Sequence, residues 1–150
     1  MVMNAANDAE SISGGCLCGA VRYQLRPPLR PAVACHCQQC RRTSGNYVNA
    51  TAVLKRNFAL TLSDGLKWYR SSRHARRGFC GICGSSLFWR RDALETISIM
   101  TGTIDGASGL HTAAHICVAD KGDYYELNPS EPQYQALDYP SPWPDPPANE

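Results

Sequence analysis

Cys35-His36-Cys37-Gln38-Gln39-Cys40 places three thiols within six residues. A strand alternates its side chains between faces and cannot aim three such thiols at one point. A loop wrapped around a single ion can. Two further pairs flank this segment, Cys16-x-Cys18 before it and Cys80-x-x-Cys83 after it. Clustered thiolates suit zinc, which takes four nitrogen or sulfur ligands in a tetrahedron. Cys16, Cys18, Cys80 and Cys83 form a complete four-thiolate set, closed to further ligands, and so predict a structural metal site. The alternative for Cys80-x-x-Cys83 is a redox pair. Such a pair normally precedes a helix, whereas Ser86-Leu87-Phe88-Trp89 reads as a strand.

Cys35, Cys37 and Cys40 leave three thiolates for a second ion. Three protein ligands and an open fourth position are the mark of a catalytic zinc site. Alternatively His36, His115 or Cys117 closes it. His36 lies between two ligands, so its ring is expected to turn away. Cys117, the eighth cysteine, falls in an apolar stretch and reads as a small buried hydrophobe. His115 lies two residues before it, and strand alternation would put both on one side.

The remaining composition bounds the setting. The chain of 150 residues is long enough for one domain with a real core, and 43% hydrophobic with 19% charged residues fits a globular protein. A formal net charge of +2 gives no argument for nucleic acid or a membrane surface. Met1 to Ser13 lacks the basic start and apolar middle of a signal peptide, and no apolar run approaches a transmembrane length. A cytoplasmic setting is expected, where thiols serve as ligands or catalysts more often than as disulfides.

The elements that must position these thiols read mostly as strands. Val21, Tyr23 and Leu25 alternate with Arg22 and Gln24. Further strands are expected over Tyr47–Leu54, Phe58–Leu62, Leu66–Arg70, Ala75–Phe79, Ser86–Arg90, Thr96–Thr101 and Ala113–Val118, with turn signals such as Ser63-Asp64-Gly65 between them. Ala32 to Ala34 leads into the central cysteine loop, and Arg41–Ser44 reads as one helical turn closed by Gly45. No stretch holds a helical period over three turns. The expected organisation is a disordered lead-in over 1–12, a zinc domain over 13–139 and a proline-rich tail over 140–150. The basic run Arg70, Arg73, Arg76 and Arg77 around His74 is expected to be a solvated hairpin, since no repeated stacking aromatics accompany it.

Gly15-Cys16-Leu17-Cys18-Gly19-Ala20-Val21-Arg22, Cys35-His36-Cys37-Gln38-Gln39-Cys40-Arg41-Arg42-Thr43-Ser44-Gly45 and Phe79-Cys80-Gly81-Ile82-Cys83-Gly84-Ser85 together resemble the glutathione-dependent formaldehyde-activating enzyme family, or CENP-V/GFA domain. The resemblance implies a mainly β, Mss4-like fold of small antiparallel sheets stapled by zinc. It implies two zinc ions, a structural one on Cys16, Cys18, Cys80 and Cys83 and a catalytic one on Cys35, Cys37 and Cys40. It implies a carbon–sulfur lyase of the S-(hydroxymethyl)glutathione synthase type, with glutathione or a similar small thiol as partner. The family's frequent tryptophan a few residues past Lys121 is replaced here by Tyr124 or Tyr125. An open site would deprotonate a substrate thiol for addition to formaldehyde or another small electrophile. Arg22, Arg41 and Arg42, close in sequence to the thiols, are candidates to offset their charge or hold a carboxylate. The competing class is a non-catalytic, zinc-stabilised binding module.

Overall fold

The computed structural model describes residues 11–143. The lead-in expected over 1–12 lies outside these residues as far as Glu10. Most of the expected tail, from Pro144 onward, lies outside them too. The fold is mainly β, as expected. Among the described residues ten strands occur: β1 Ile12–Gly15, β2 Arg22–Leu25, β3 Ala32–Cys35, β4 Val48–Leu54, β5 Phe58–Leu62, β6 Leu66–Arg70, β7 Ala75–Cys80, β8 Ser86–Arg91, β9 Thr96–Met100 and β10 Thr112–Ile116. One α-helix, α1, spans Gln38–Ser44. No described helix is long and apolar enough to cross a membrane.

The strands form two sheets. A three-stranded antiparallel sheet runs β1-β2-β5, and a seven-stranded sheet runs β10-β3-β4-β9-β8-β7-β6. Every pair in the larger sheet is antiparallel except β10 with β3. That parallel pair joins chain segments about eighty residues apart, which no local pattern could announce. The outer edge of β10 is covered: His115 N–H donates to the Pro132 carbonyl and Tyr134 N–H to the His115 carbonyl, both at 2.8 Å.

Side-chain alternation splits the larger sheet into two faces. Val53, Phe88, Ile97 and Ile99 point toward the smaller sheet and pack with its Tyr23 and Leu25. This is the main core, and Tyr23 meets Phe88 edge-on with ring centroids 5.5 Å apart. Val48, Ala50 and Met100, with Trp89 beside them, point the other way and pack around Cys40. Among the described residues no second sheet covers this face.

Ile12–Gly15 forms a strand that the sequence did not announce, its first residue falling in the expected lead-in. Gly14 pairs opposite Tyr23, and a Cβ at Gly14 would occupy the space of the Tyr23 hydroxyl. The glycine there serves close packing, which reads in sequence as turn chemistry.

Candidate metal centres and the cavity between strands and helix

The first thiol cluster forms where the two sheets meet. Cys16 and Cys18 sit on the tight connection from β1 to β2, where Gly19 takes a left-handed φ of 84°. Cys80 ends β7 and Cys83 follows in a turn closed by Gly84, whose N–H donates to the Cys80 carbonyl at 2.8 Å. The Sγ atoms of Cys16 and Cys18 are 3.7 Å apart, and those of Cys18 and Cys80 are 3.8 Å apart. All four lie within 4.8 Å of one another. A tetrahedron with metal–sulfur bonds of about 2.3 Å has edges of about 3.8 Å, so the donor set fits a zinc-sized ion. Backbone donors face the sulfurs, with Val21 N–H donating to Cys16 Sγ at 3.2 Å. The two loops are tied directly by Leu17 N–H donating to Ser85 Oγ at 3.0 Å, and through Gly65, whose N–H donates to the Ala20 carbonyl at 3.1 Å and whose carbonyl accepts the Gly81 N–H at 2.7 Å.

The second cluster is built from a strand end and a helix start. Cys35 ends β3, Cys37 caps α1, and Cys40 lies in its first turn. Cys37 Sγ accepts the Cys40 N–H at 3.3 Å, as a capping side chain does. The helix ends at Gly45 with a left-handed φ of 78°, its N–H returning to the Arg41 carbonyl. The sequence showed this closing turn, and the helix begins one turn earlier than expected. The three Sγ atoms lie within 4.8 Å of one another. Hydrogen bonds from the Cys35 and Cys40 thiols hold Cys37 far below the usual thiol range, aided by the nearby Arg77 charge. The same contacts push Cys35 and Cys40 up. Three thiols sharing charge in this way form a donor set that suits a cation.

Both histidines are engaged elsewhere. His36 is fully buried, with Nε2 2.8 Å from His115 Nδ1 and Nδ1 hydrogen-bonded to the Tyr125 hydroxyl. His115 Nε2 donates to the Glu131 carboxylate, which can only accept. Burial, then the neighbouring His115, pushes the His36 pKa down to about 4, which leaves its ring neutral at pH 7. The His36 ring packs against those of Tyr47 and Tyr125, with centroids 4.8 and 5.3 Å away. Neither histidine has a ring nitrogen free for a metal. The chain Tyr125–His36–His115–Glu131 instead pins the loop that carries Cys35 and Cys37.

Cys117 departs from its expected place. β10 stops at Ile116, and Cys117 takes a left-handed φ of 54°. That turn ends the alternation, so His115 faces Glu131 while Cys117 is half-buried on the wall of a cavity with Cys35. Its sulfur does not join the group of three. It is a cavity thiol and not a core residue.

That cavity, of about 340 Å³, opens beside the three thiols on the uncovered face of the large sheet. Val48, Ala50, Trp89, Met100 and Ile116 line it, together with Arg30 and Arg77. Neither arginine was anticipated: Arg77 is 37 residues from Cys40, and nothing in the local pattern turns Arg30, five residues before Cys35, toward the cavity. Arg77 belongs to the run expected to be solvated, yet it is 7% exposed with Nη2 3.6 Å from Cys40 Sγ. The alternation of β7 was the available signal: Arg76 points out to Asp92 and Arg77 points in. The arginines chosen by proximity stand elsewhere. Arg22 pairs with Asp105, and Arg41 and Arg42 do not line the cavity.

A sequence model of the glutathione-dependent formaldehyde-activating enzyme family matches residues 11–120. A protein of Schizosaccharomyces pombe named an uncharacterized lyase is 25% identical over 115 residues, 76% of this chain and 83% of the relative. A crystal structure of a Rhodobacter sphaeroides protein superposes with a TM-score of 0.56 at 21% identity. It covers 81% of this chain and 98% of its own, and at that identity the likeness concerns the fold alone.

Proposed function

The chain belongs to the glutathione-dependent formaldehyde-activating enzyme family, and on that premise we propose that it is a zinc-dependent carbon–sulfur lyase acting on a small thiol and an aldehyde. Cys16, Cys18, Cys80 and Cys83 hold a structural zinc ion, and Cys35, Cys37 and Cys40 hold a catalytic one. The observation that carries this reading is the contrast in closure. Four thiols complete the first set, whereas the second set of three borders a cavity and finds no fourth ligand in His36 or His115.

Zinc, when bound by three thiolates, would lower the pKa of a thiol sharing the site and polarise a nearby carbonyl. The protein's own groups supply the rest. Arg77 sets a guanidinium against Cys40 and offsets the negative charge of the cluster. Val48, Met100 and Trp89 keep the cavity apolar, which strengthens every charge interaction within it. The chain from Tyr125 to Glu131 fixes the cysteine loop. In the net reaction a carbon–sulfur bond forms, the carbonyl π bond breaks, and the thiol proton passes to the carbonyl oxygen. The lyase direction is the reverse.

The test is the rate of hydroxymethyl-thiol formation from formaldehyde and a small thiol, with the uncatalysed rate subtracted. The zinc-loaded protein is expected to exceed the blank, and Cys37→Ser to return to it while keeping its fold. A wild-type rate equal to the blank would leave a two-metal β-domain that binds and does not catalyse.

A further inference from the structure

The cavity beside the second cluster has an unusual polarity. Most of its polar lining is already committed. Gln39 accepts from Arg77 and donates to the Ser71 carbonyl, and Ser72 Oγ accepts the His74 and Ala75 N–H groups. The Ser98 hydroxyl and two guanidinium groups remain, and among the described residues no carboxylate lines the cavity or pairs with either guanidinium. Arg77 lies against Cys40, and its charge is directed at the thiols.

Arg30 differs. It donates to the carbonyls of Pro31 and Ala50, at 3.4 and 2.9 Å, and has no acidic partner among the described residues. Burial lowers its pKa, a sign of water-poor surroundings, although a guanidinium stays charged there. It also lines a second cavity of about 600 Å³ and so stands on the wall shared by the two. A charge so placed, with apolar walls toward the thiols, is complementary to one anionic group at the far end of an apolar molecule.

We infer that this site selects a thiol with an apolar body and a single distal carboxylate, held by Arg30, in preference to a zwitterionic thiol peptide such as glutathione. The inference rests on the open-site reading above and narrows its substrate. A peptide ammonium in the inner cavity would be desolvated beside two guanidinium groups with no carboxylate to receive it. The nearest acid on the outer cavity, Glu95, is exposed, where an ion pair contributes little. The two amides of a tripeptide would likewise meet walls such as Val48, Ala50 and Met100.

Three probes separate the terms: 4-(2-mercaptoethyl)benzoate, its uncharged counterpart 2-phenylethanethiol, and glutathione. Binding is measured by calorimetry on the zinc-loaded full chain, and thiol ligation by the absorption of the cobalt-substituted protein. The benzoate is expected to bind at least about tenfold more tightly than glutathione, and Arg30→Gln to remove about tenfold of that affinity. The same variant should change 2-phenylethanethiol by less than about twofold. Arg30→Lys, which keeps the charge, should lose less than Arg30→Gln and shows the outcome if the glutamine variant melts early. Glutathione binding as tightly as the benzoate would overturn the inference while leaving the open site intact. So would equal losses for charged and uncharged probes. If no probe shifts the cobalt spectrum, the open-site reading fails and the inference with it.

Discussion

The two thiol clusters use the same donor atom and differ in what surrounds them. The first is clamped between two sheets: each sheet gives it one loop, and Cys80 at its centre is fully buried. The second sits on the face of the large sheet that no other layer covers, with a strand end and a short helix on one side and a cavity on the other. A cluster that ties layers together resists removal because its metal's binding energy is folding energy. A cluster beside a cavity can lose its ion and leave the layers in place. On the proposed reading, position within the layers, more than donor chemistry, separates the structural from the reactive cluster.

The largest test of this contrast pairs Cys80→Ser with Cys37→Ser. Metal binding contributes about 10–16 kcal/mol in small zinc-finger peptides, comparable to the whole stability of a domain. Cys80→Ser is therefore expected to give no cooperative thermal melt, followed by circular dichroism. Cys37→Ser should melt cooperatively and lack the second metal by elemental analysis. Similar melts for the two variants would erase the distinction.

A smaller effect sharpens the first side. A Cβ at Gly65 would stand 2.7 Å from Cys80 Sγ and 3.0 Å from the Ala20 Cβ. Gly65→Ala should cost about 1–3 kcal/mol through the displaced thiol. It should release the first metal to a chelator sooner and leave thiol binding at the second site unchanged. Loss of thiol binding in this variant would mean that the two clusters are coupled.

The second side is probed by Tyr125→Phe. It removes the hydroxyl bonded to His36 Nδ1 and leaves a buried acceptor unpaired, at a cost of about 1–3 kcal/mol. Chelator competition should show weaker retention of the second metal and normal retention of the first. The smallest effect belongs to Cys117→Ala, which should keep both metals and cost about 0.5–1 kcal/mol. Loss of one metal in that variant would make Cys117 the closing ligand and assign binding without catalysis.

The strand reading followed from local pattern and transferred well where a strand is bounded by its own turn signals. Phe58–Leu62 and Leu66–Arg70 have the bounds read from Ser63-Asp64-Gly65 between them. The two pairs and the group of three were also legible from spacings of one and two residues, and the joining of the two pairs followed from the donor count of four. The first strand was missed because Gly14 and Gly15 carry no side-chain pattern. Their role depends on Tyr23 from the neighbouring strand.

Sequence alone determined the β class and which thiols stand together within each loop, because short-range spacing controls both, whereas the meeting of Cys18 with Cys80, 62 residues apart, is tertiary. Tertiary structure decided which charges reach the site. Arg77 arrives there through β7 pairing with β8, 37 residues from Cys40, and Arg30, just before β3, through its bonds to the Ala50 and Ala52 carbonyls of β4. It also decided that Cys117 leaves the strand at a left-handed residue and faces the cavity, while His115 turns into a chain of buried hydrogen bonds. Side-chain direction past the end of a strand is set by the turn that ends it, and that turn is a product of packing.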